Sequence, residues 1–136
     1  LGMDLKKTAA DADEFCLVLT PTPSAAARAS EAVRQRFRIL AEATRKDLAA
    51  VVGELVKYSV EHGPGRPITV TVALRADSIR GEVADHGNPA VAIPQTSKGA
   101  ERHGSGLALV DRLTSRWAVY EGSTDVWFEI PVARPA

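Results

Sequence analysis

Three features of this 136-residue chain predict an α/β (α+β) two-layer sandwich, with helices on one face of a mixed, mainly antiparallel sheet. The first is a pair of consecutive stretches with helical period, residues 24–41 and a second one from Thr44 or Asp47 to His62. The second is a change to period two at Pro67, which persists through two successive strands. The third is a closing pair of alternating stretches, 116–121 and 126–130, joined by Gly122-Ser123. The resulting order is strand, helix, helix, strand, strand, short helix, strand, strand. It departs from the regular alternation that builds a doubly wound parallel sheet and favours helices stacked against hairpins.

Length and charge narrow the possibilities further. A chain of this size fits one domain that buries roughly two thirds of its unfolded surface, so neither a disulfide nor a metal is needed to fold it. Residues 1–12 are read as a loose terminus, with Leu1-Gly2 ahead of Met3 an expression remnant, and residues 13–136 as the folded domain. Seventeen basic and seventeen acidic residues cancel to a formal net charge of zero. Nothing in that balance favours a nucleic acid or an anionic membrane as the main partner, and a protein or small molecule is expected instead. Cys16 has no second cysteine to pair with, and its apolar run suggests a small hydrophobe in a reducing compartment. No apolar run approaches the roughly 20 residues that span a bilayer, and no signal pattern opens the chain, so a cytoplasmic location is expected.

Taken in order, Phe15, Leu17 and Leu19 alternate with Cys16, Val18 and Thr20 until Pro21-Thr22-Pro23 ends a first strand. Ser24 stands where it can cap a helix whose apolar stripe is Ala26, Ala29, Val33, Phe37 and Leu40, with Arg28, Arg34 and Arg38 on the other side. A solvated face is the plain reading of those arginines, and a partner surface the alternative. Thr44 or Asp47 can open the second helix, which Gly63-Pro64-Gly65 terminates. At about 100° per residue, Leu48, Val51, Val52, Leu55, Val56 and Ser59 share its packing flank, while Glu54, Tyr58 and Glu61 line the next. His62 either favours the helix C-terminus electrostatically or faces a ligand.

Ile68, Val70, Val72 and Leu74 then face one way, and Ile79, Gly81 and Val83 repeat the pattern after a turn at Ala76-Asp77. Extending that parity puts Asp85 inward at the strand's end, where a carboxylate is costly unless it is hydrogen-bonded. A turn-forming aspartate before His86-Gly87-Asn88-Pro89 is the simpler alternative. Residues 86–103 show no period, and connections longer than about 12–15 residues are often binding loops, so this one is read as a lid. Gly104-Ser105-Gly106 leads into a short apolar helix through Leu107, Leu109, Val110 and Leu113. Glycines at a helix N-terminus let main-chain N–H groups approach an anion such as phosphate.

These pieces together resemble the histidine-kinase-like ATPase family (GHKL), with its Bergerat-type ATP-binding fold, and in particular its small bacterial anti-sigma-factor serine kinases. Glu54-Leu55-Val56 through His62-Gly63 is similar to the family's first motif, Val83-Ala84-Asp85-His86-Gly87 to its second, and Gly104-Ser105-Gly106-Leu107-Ala108-Leu109-Val110 to its third. Val126-Trp127-Phe128-Glu129-Ile130-Pro131 also looks like the close of this group, so the resemblance spans about residues 14–132. It implies Glu54 as general base toward the attacking hydroxyl and Asp85 as acceptor for the adenine amino group. Gly87 would admit the base, and Gly104, Ser105, Gly106 and Leu107 would line the phosphate side. Lys98, Arg102 and His103 in the lid would add positive charge near the terminal phosphate.

The departures from the pattern matter as well. Tyr58 stands four residues after Glu54, where the resemblance implies an asparagine that holds magnesium. A neutral phenol is a poor ligand for a cation that wants hard oxygens in near-octahedral geometry. Ser59 lies about 100° further round the helix, on the packing flank. Pro89 replaces a glycine that many relatives carry. The resemblance therefore implies ATP as the ligand, magnesium as doubtful, and a sigma factor or anti-anti-sigma factor as protein partner, with a homodimer permitted by the 24–41 helix. The function expected is partner binding with phosphorylation of an antagonist protein. A degenerate, non-catalytic relative that keeps the protein surface is the alternative.

Overall fold

The computed structural model describes residues 14–85, 105–120 and 124–132. Its elements are β1 (Glu14–Leu19), α1 (Ala25–Arg36), α2 (Glu42–His62), β2 (Ile68–Leu74), β3 (Ser78–Ala84), α3 (Ser105–Leu113), β4 (Arg116–Val119) and β5 (Val126–Pro131). The strands form one five-stranded sheet in the order β1-β2-β3-β5-β4. Every described pairing is antiparallel. Both expected hairpins are present, and the short first strand is added at the outer edge of β2.

Period two decides which face of the sheet is covered. Ile68, Val70 and Val72 of β2, Ile79 and Val83 of β3, and Val126, Phe128 and Ile130 of β5 are buried on one side. Against this side lies α2, whose Leu48, Val51, Val52, Leu55 and Val56 are wholly buried. Each such aliphatic side chain contributes roughly 1.5–3 kcal/mol by leaving water. Phe128 sits across from Gly81 in the β3–β5 register, and a Cβ at Gly81 would run into its ring. The glycine is therefore a packing device for an aromatic residue on the neighbouring strand.

The first helix joins this layer through Ala25, Ala29 and Val33, and Ser30 Oγ donates to the Ala49 carbonyl at 2.6 Å, tying α1 to α2. It ends at Arg36, short of the stripe's last members: Phe37 is the C-cap, its N–H on the Val33 carbonyl at 3.1 Å, while Leu40 turns inward from the connection. Ser24 occupies the N-cap position without a side-chain capping bond, its hydroxyl lying 3.2 Å from that of Thr22. The second helix begins at Glu42, before the expected Thr44 or Asp47. Trp117 Nε1 donates to Asp111 at 2.8 Å, which fixes α3 to the edge strand that follows it. Cys16 is exposed rather than buried, because it shares the outward parity of β1 with Val18. No described helix is long and apolar enough to cross a membrane.

Candidate functional site

The end of β3 is where the sheet brings unlike elements together. Since Val83 pairs with Val126, the chain just beyond β3 meets the chain just before β5. Asp85 follows the inward parity of Ile79, Gly81 and Val83 and is 1% exposed. Its Oδ2 accepts a hydrogen bond from the Ser59 hydroxyl of α2 at 2.7 Å and another from the Thr124 hydroxyl. Its main-chain N–H donates to Asp125 Oδ1 at 2.8 Å. A buried carboxylate is thus held by donors from two separate elements, which meets the requirement for polar groups out of water.

Gly63 makes this close approach possible. It caps α2 with its N–H on the Ser59 carbonyl at 2.8 Å, and a Cβ there would lie 2.5 Å from Asp85 Oδ2. The helix stop and the seat of the carboxylate are one feature. Tyr58 lies beside them, only 9% exposed, with its ring 4.8 Å from that of His62. Burial, and then the charge of Asp85, push its phenol above the ordinary value. It is therefore a neutral group packed into the site, although helical phase alone sets it beside Glu54 on the flank next to the core. Glu54 is half-buried one turn earlier.

The remaining expected residues divide clearly. Ser105 and Gly106 lie in the first turn of α3, and Leu107 is wholly buried in the core. Gly87, Lys98, Arg102, His103, Gly104 and the whole expected lid lie outside the described residues. A groove of about 380 Å³ lies elsewhere, lined by Thr22, Pro23, Ala26, Lys57, Val60 and Glu61, and it includes none of the expected site residues. Among the described residues there is no group of three or more acidic, cysteine or histidine side chains placed to hold a metal ion.

Sequence reasoning passed over three members of the cluster. Ser59 is buried on the packing flank, as its phase requires, yet its hydroxyl serves Asp85. Thr124 continues inward from Val126, Phe128 and Ile130 by period two, a signal that was available in the chain. Asp125 has the opposite parity and is buried by the main chain it binds, so no local pattern marks it.

The family profile described as the histidine kinase-like ATPase domain matches residues 19–130, which takes in all three helices and the sheet from β2 to β5. This chain belongs to the histidine-kinase-like ATPase domain family. No curated protein matches it. Among solved structures it is similar to the crystal structure of the RsbU and RsbW domains of Rv1364c from Mycobacterium tuberculosis, with a TM-score of 0.66 and 22% identity. That likeness covers 90% of this chain and 33% of the other, so the domain spans about a third of that structure's length. In this ATPase-domain fold, the buried carboxyl at the tip of β3 is an acceptor for hydroxyls from α2 and from the residues just before β5.

Proposed function

We propose that the domain is an adenine-nucleotide-binding regulator of the anti-sigma-factor type, which acts on a protein partner such as a sigma factor or an anti-anti-sigma factor. The observation that carries this reading is Asp85, a buried carboxylate held by the Ser59 and Thr124 hydroxyls at a strand end. An amino group on a flat heterocycle is the kind of ligand that such an acceptor selects, because burying the wrong partner would leave the carboxylate unmatched. Gly104, with Ser105 and Gly106 in the first turn of α3, would supply the phosphate side of the same reading. Lys98 adds a cation from the connection before it.

Phosphorylation of an antagonist protein, with Glu54 as general base, is the fuller form of the proposal. Tyr58 weighs against it. The residues present do not fit magnesium at the position that the resemblance gives to its ligand, because the phenol there is buried and kept neutral. Phosphoryl transfer depends on charge stabilisation more than on any covalent step, so losing that ligand strikes at the main catalytic contribution. This favours the second reading, a domain that binds nucleotide and partner with little or no kinase turnover.

Calorimetric titration of ATP, with and without magnesium, tests the proposal. We expect binding that magnesium changes little, and an affinity at least about tenfold lower in Asp85→Asn. Unchanged affinity in that variant would remove the assignment. Tyr58→Asn is expected to make binding magnesium-dependent, and no change there would show that Tyr58 does not set the metal response.

A further inference from the structure

Residues 24–46 hold six basic side chains against two acidic ones, in a chain whose formal net charge is zero. The nucleotide reading uses none of them. Around the turn that joins α1 to α2, Arg34 and Arg45 both reach Glu42, Arg34 at 3.6 Å. On the neighbouring side of α1, Arg38 donates to Gln35, which donates in turn to Glu31 at 2.7 Å. Ile39 follows Arg38 in the turn and is 84% exposed, more than any other large apolar side chain among the described residues. The negative end of α1 accounts for Arg34 and Arg36 in its last turn. It does not account for Ile39, which lies outside the helix and leaves almost none of its surface buried. An apolar side chain alone on a surface is ordinary. One set among arginines has the make-up of an interface, where an apolar anchor is ringed by charged groups and arginine is enriched.

We propose that the α1–α2 turn is the docking surface for a protein partner, and that its occupant is an acidic segment whose apolar side chain covers Ile39 while its carboxylates meet Arg34 and Arg38. The proposal rests on the protein-partner half of the function proposed above and makes no use of the nucleotide half. Charge complementarity selects the occupant. The excess of basic groups draws an acidic segment in, and the apolar contact fixes its register. A nucleic acid fits less well, because Glu31 and Glu42 stand among the arginines where a phosphate backbone would have to run. An anionic membrane also fits less well, because Ala25, Ala29 and Val33 of α1 are turned into the core and Ile39 alone is left to insert. Glu42 opens α2, whereas Ser59, the donor to Asp85, lies in its last turn. With about 1.5 Å of rise per residue, the docking surface is roughly 25 Å along the helix from Asp85, so partner and nucleotide can be held at once.

The test is a titration of the intact chain, followed by NMR, with a synthetic peptide that repeats Glu-Glu-Leu. Polyglutamate of the same length, duplex DNA and phosphatidylglycerol vesicles serve as competing probes. Amide shifts are expected to centre on Arg38 and Ile39, and polyglutamate is expected to bind about tenfold more weakly because it lacks the apolar contact. Ile39→Ser should weaken the leucine-containing peptide about tenfold, leave polyglutamate unchanged and leave the urea midpoint of the chain where it was, since the side chain is already in water. Arg34→Glu combined with Arg38→Glu should weaken both peptides by at least about tenfold. Saturating ATP should leave the peptide affinity as it is. Shifts centred elsewhere, polyglutamate binding as tightly as the leucine-containing peptide, or an Ile39→Ser variant with unaltered peptide affinity or a lowered urea midpoint would each overturn the proposal. Tighter binding of the DNA or the vesicles than of the peptide overturns the choice of occupant, and displacement of the peptide by ATP overturns the placement at the far end of α2. A chain that binds no peptide overturns the docking surface while the nucleotide reading stands or falls on its own titration.

Discussion

Two carboxylate clusters on the same sheet are built on opposite principles. On the open face, Glu129 of β5 receives Arg80 at 2.9 Å and Arg116 at 3.1 Å. Both guanidinium groups also stack over Trp127, at 4.6 and 5.5 Å. The hydrogen bond from Arg116, and then the charges around it, hold the Glu129 carboxyl below the ordinary range. On the covered face, Asp85 and Asp125 are buried against each other with hydroxyls and a main-chain N–H as partners. The first cluster is arranged to keep a charge, and the second keeps two acids together where a charge is costly. Proteins retain such an arrangement where a site needs it, since perturbed acids collect at functional positions and weigh against stability there.

The comparison can be broken most forcefully at Gly63. Gly63→Ala places a methyl group against both Asp85 and the Ser59 carbonyl, and a loss of about 1–3 kcal/mol in urea denaturation is expected for such overpacking. A neutral result would mean that the carboxylate is not wedged over the helix end. Ser59→Ala comes next, with a loss of about 1–2 kcal/mol because a buried acceptor is deprived of a donor.

The pH dependence of stability sharpens the contrast, because the two acids have opposite signs. Asp125 has its folded-state value raised, so the folded chain holds the proton more tightly and stability falls as pH rises from about 4 to about 6. Asp125→Asn should therefore gain on the wild type as pH rises through that window, measured as the difference between two denaturation series. Glu129 has its value lowered, so its contribution is present above the unfolded value of 4.5 and is lost as pH falls through the folded one. Glu129→Gln should lose ground to the wild type at neutral pH and draw level in acid. The smallest effect belongs to this open face. Exposed ion pairs are worth about 0–1 kcal/mol, and added salt should shrink the Glu129→Gln difference while leaving that of Ser59→Ala unchanged.

Much of this was legible in the chain. The inward parity of Ile79, Gly81 and Val83 predicted a buried Asp85, and the 1% exposure agrees with it. The packing flank of α2 was readable because a helix repeats within a few residues, and Leu48 through Val56 are buried as that repeat requires. Tyr58 was harder to place. Its phase sets it on the border of the core, and whether it faces water or the site depends on how closely β3 approaches the C-terminal end of the helix. The partners of Asp85 were hidden for the same reason, since Ser59 and Thr124 lie 26 and 39 residues away along the chain.

By itself, the sequence determined which segments are helix and strand, which faces they bury, and the family to which the chain belongs. These follow from short-range periodicity and from motifs that each fit within a single turn or strand. Only the tertiary structure decided that Ser59, Thr124 and Asp125 converge on one carboxylate and that Gly63 leaves room for it. Such meetings are set by strand order and register across the β3–β5 pairing, where residues far apart in the chain become neighbours and where no local pattern records the contact.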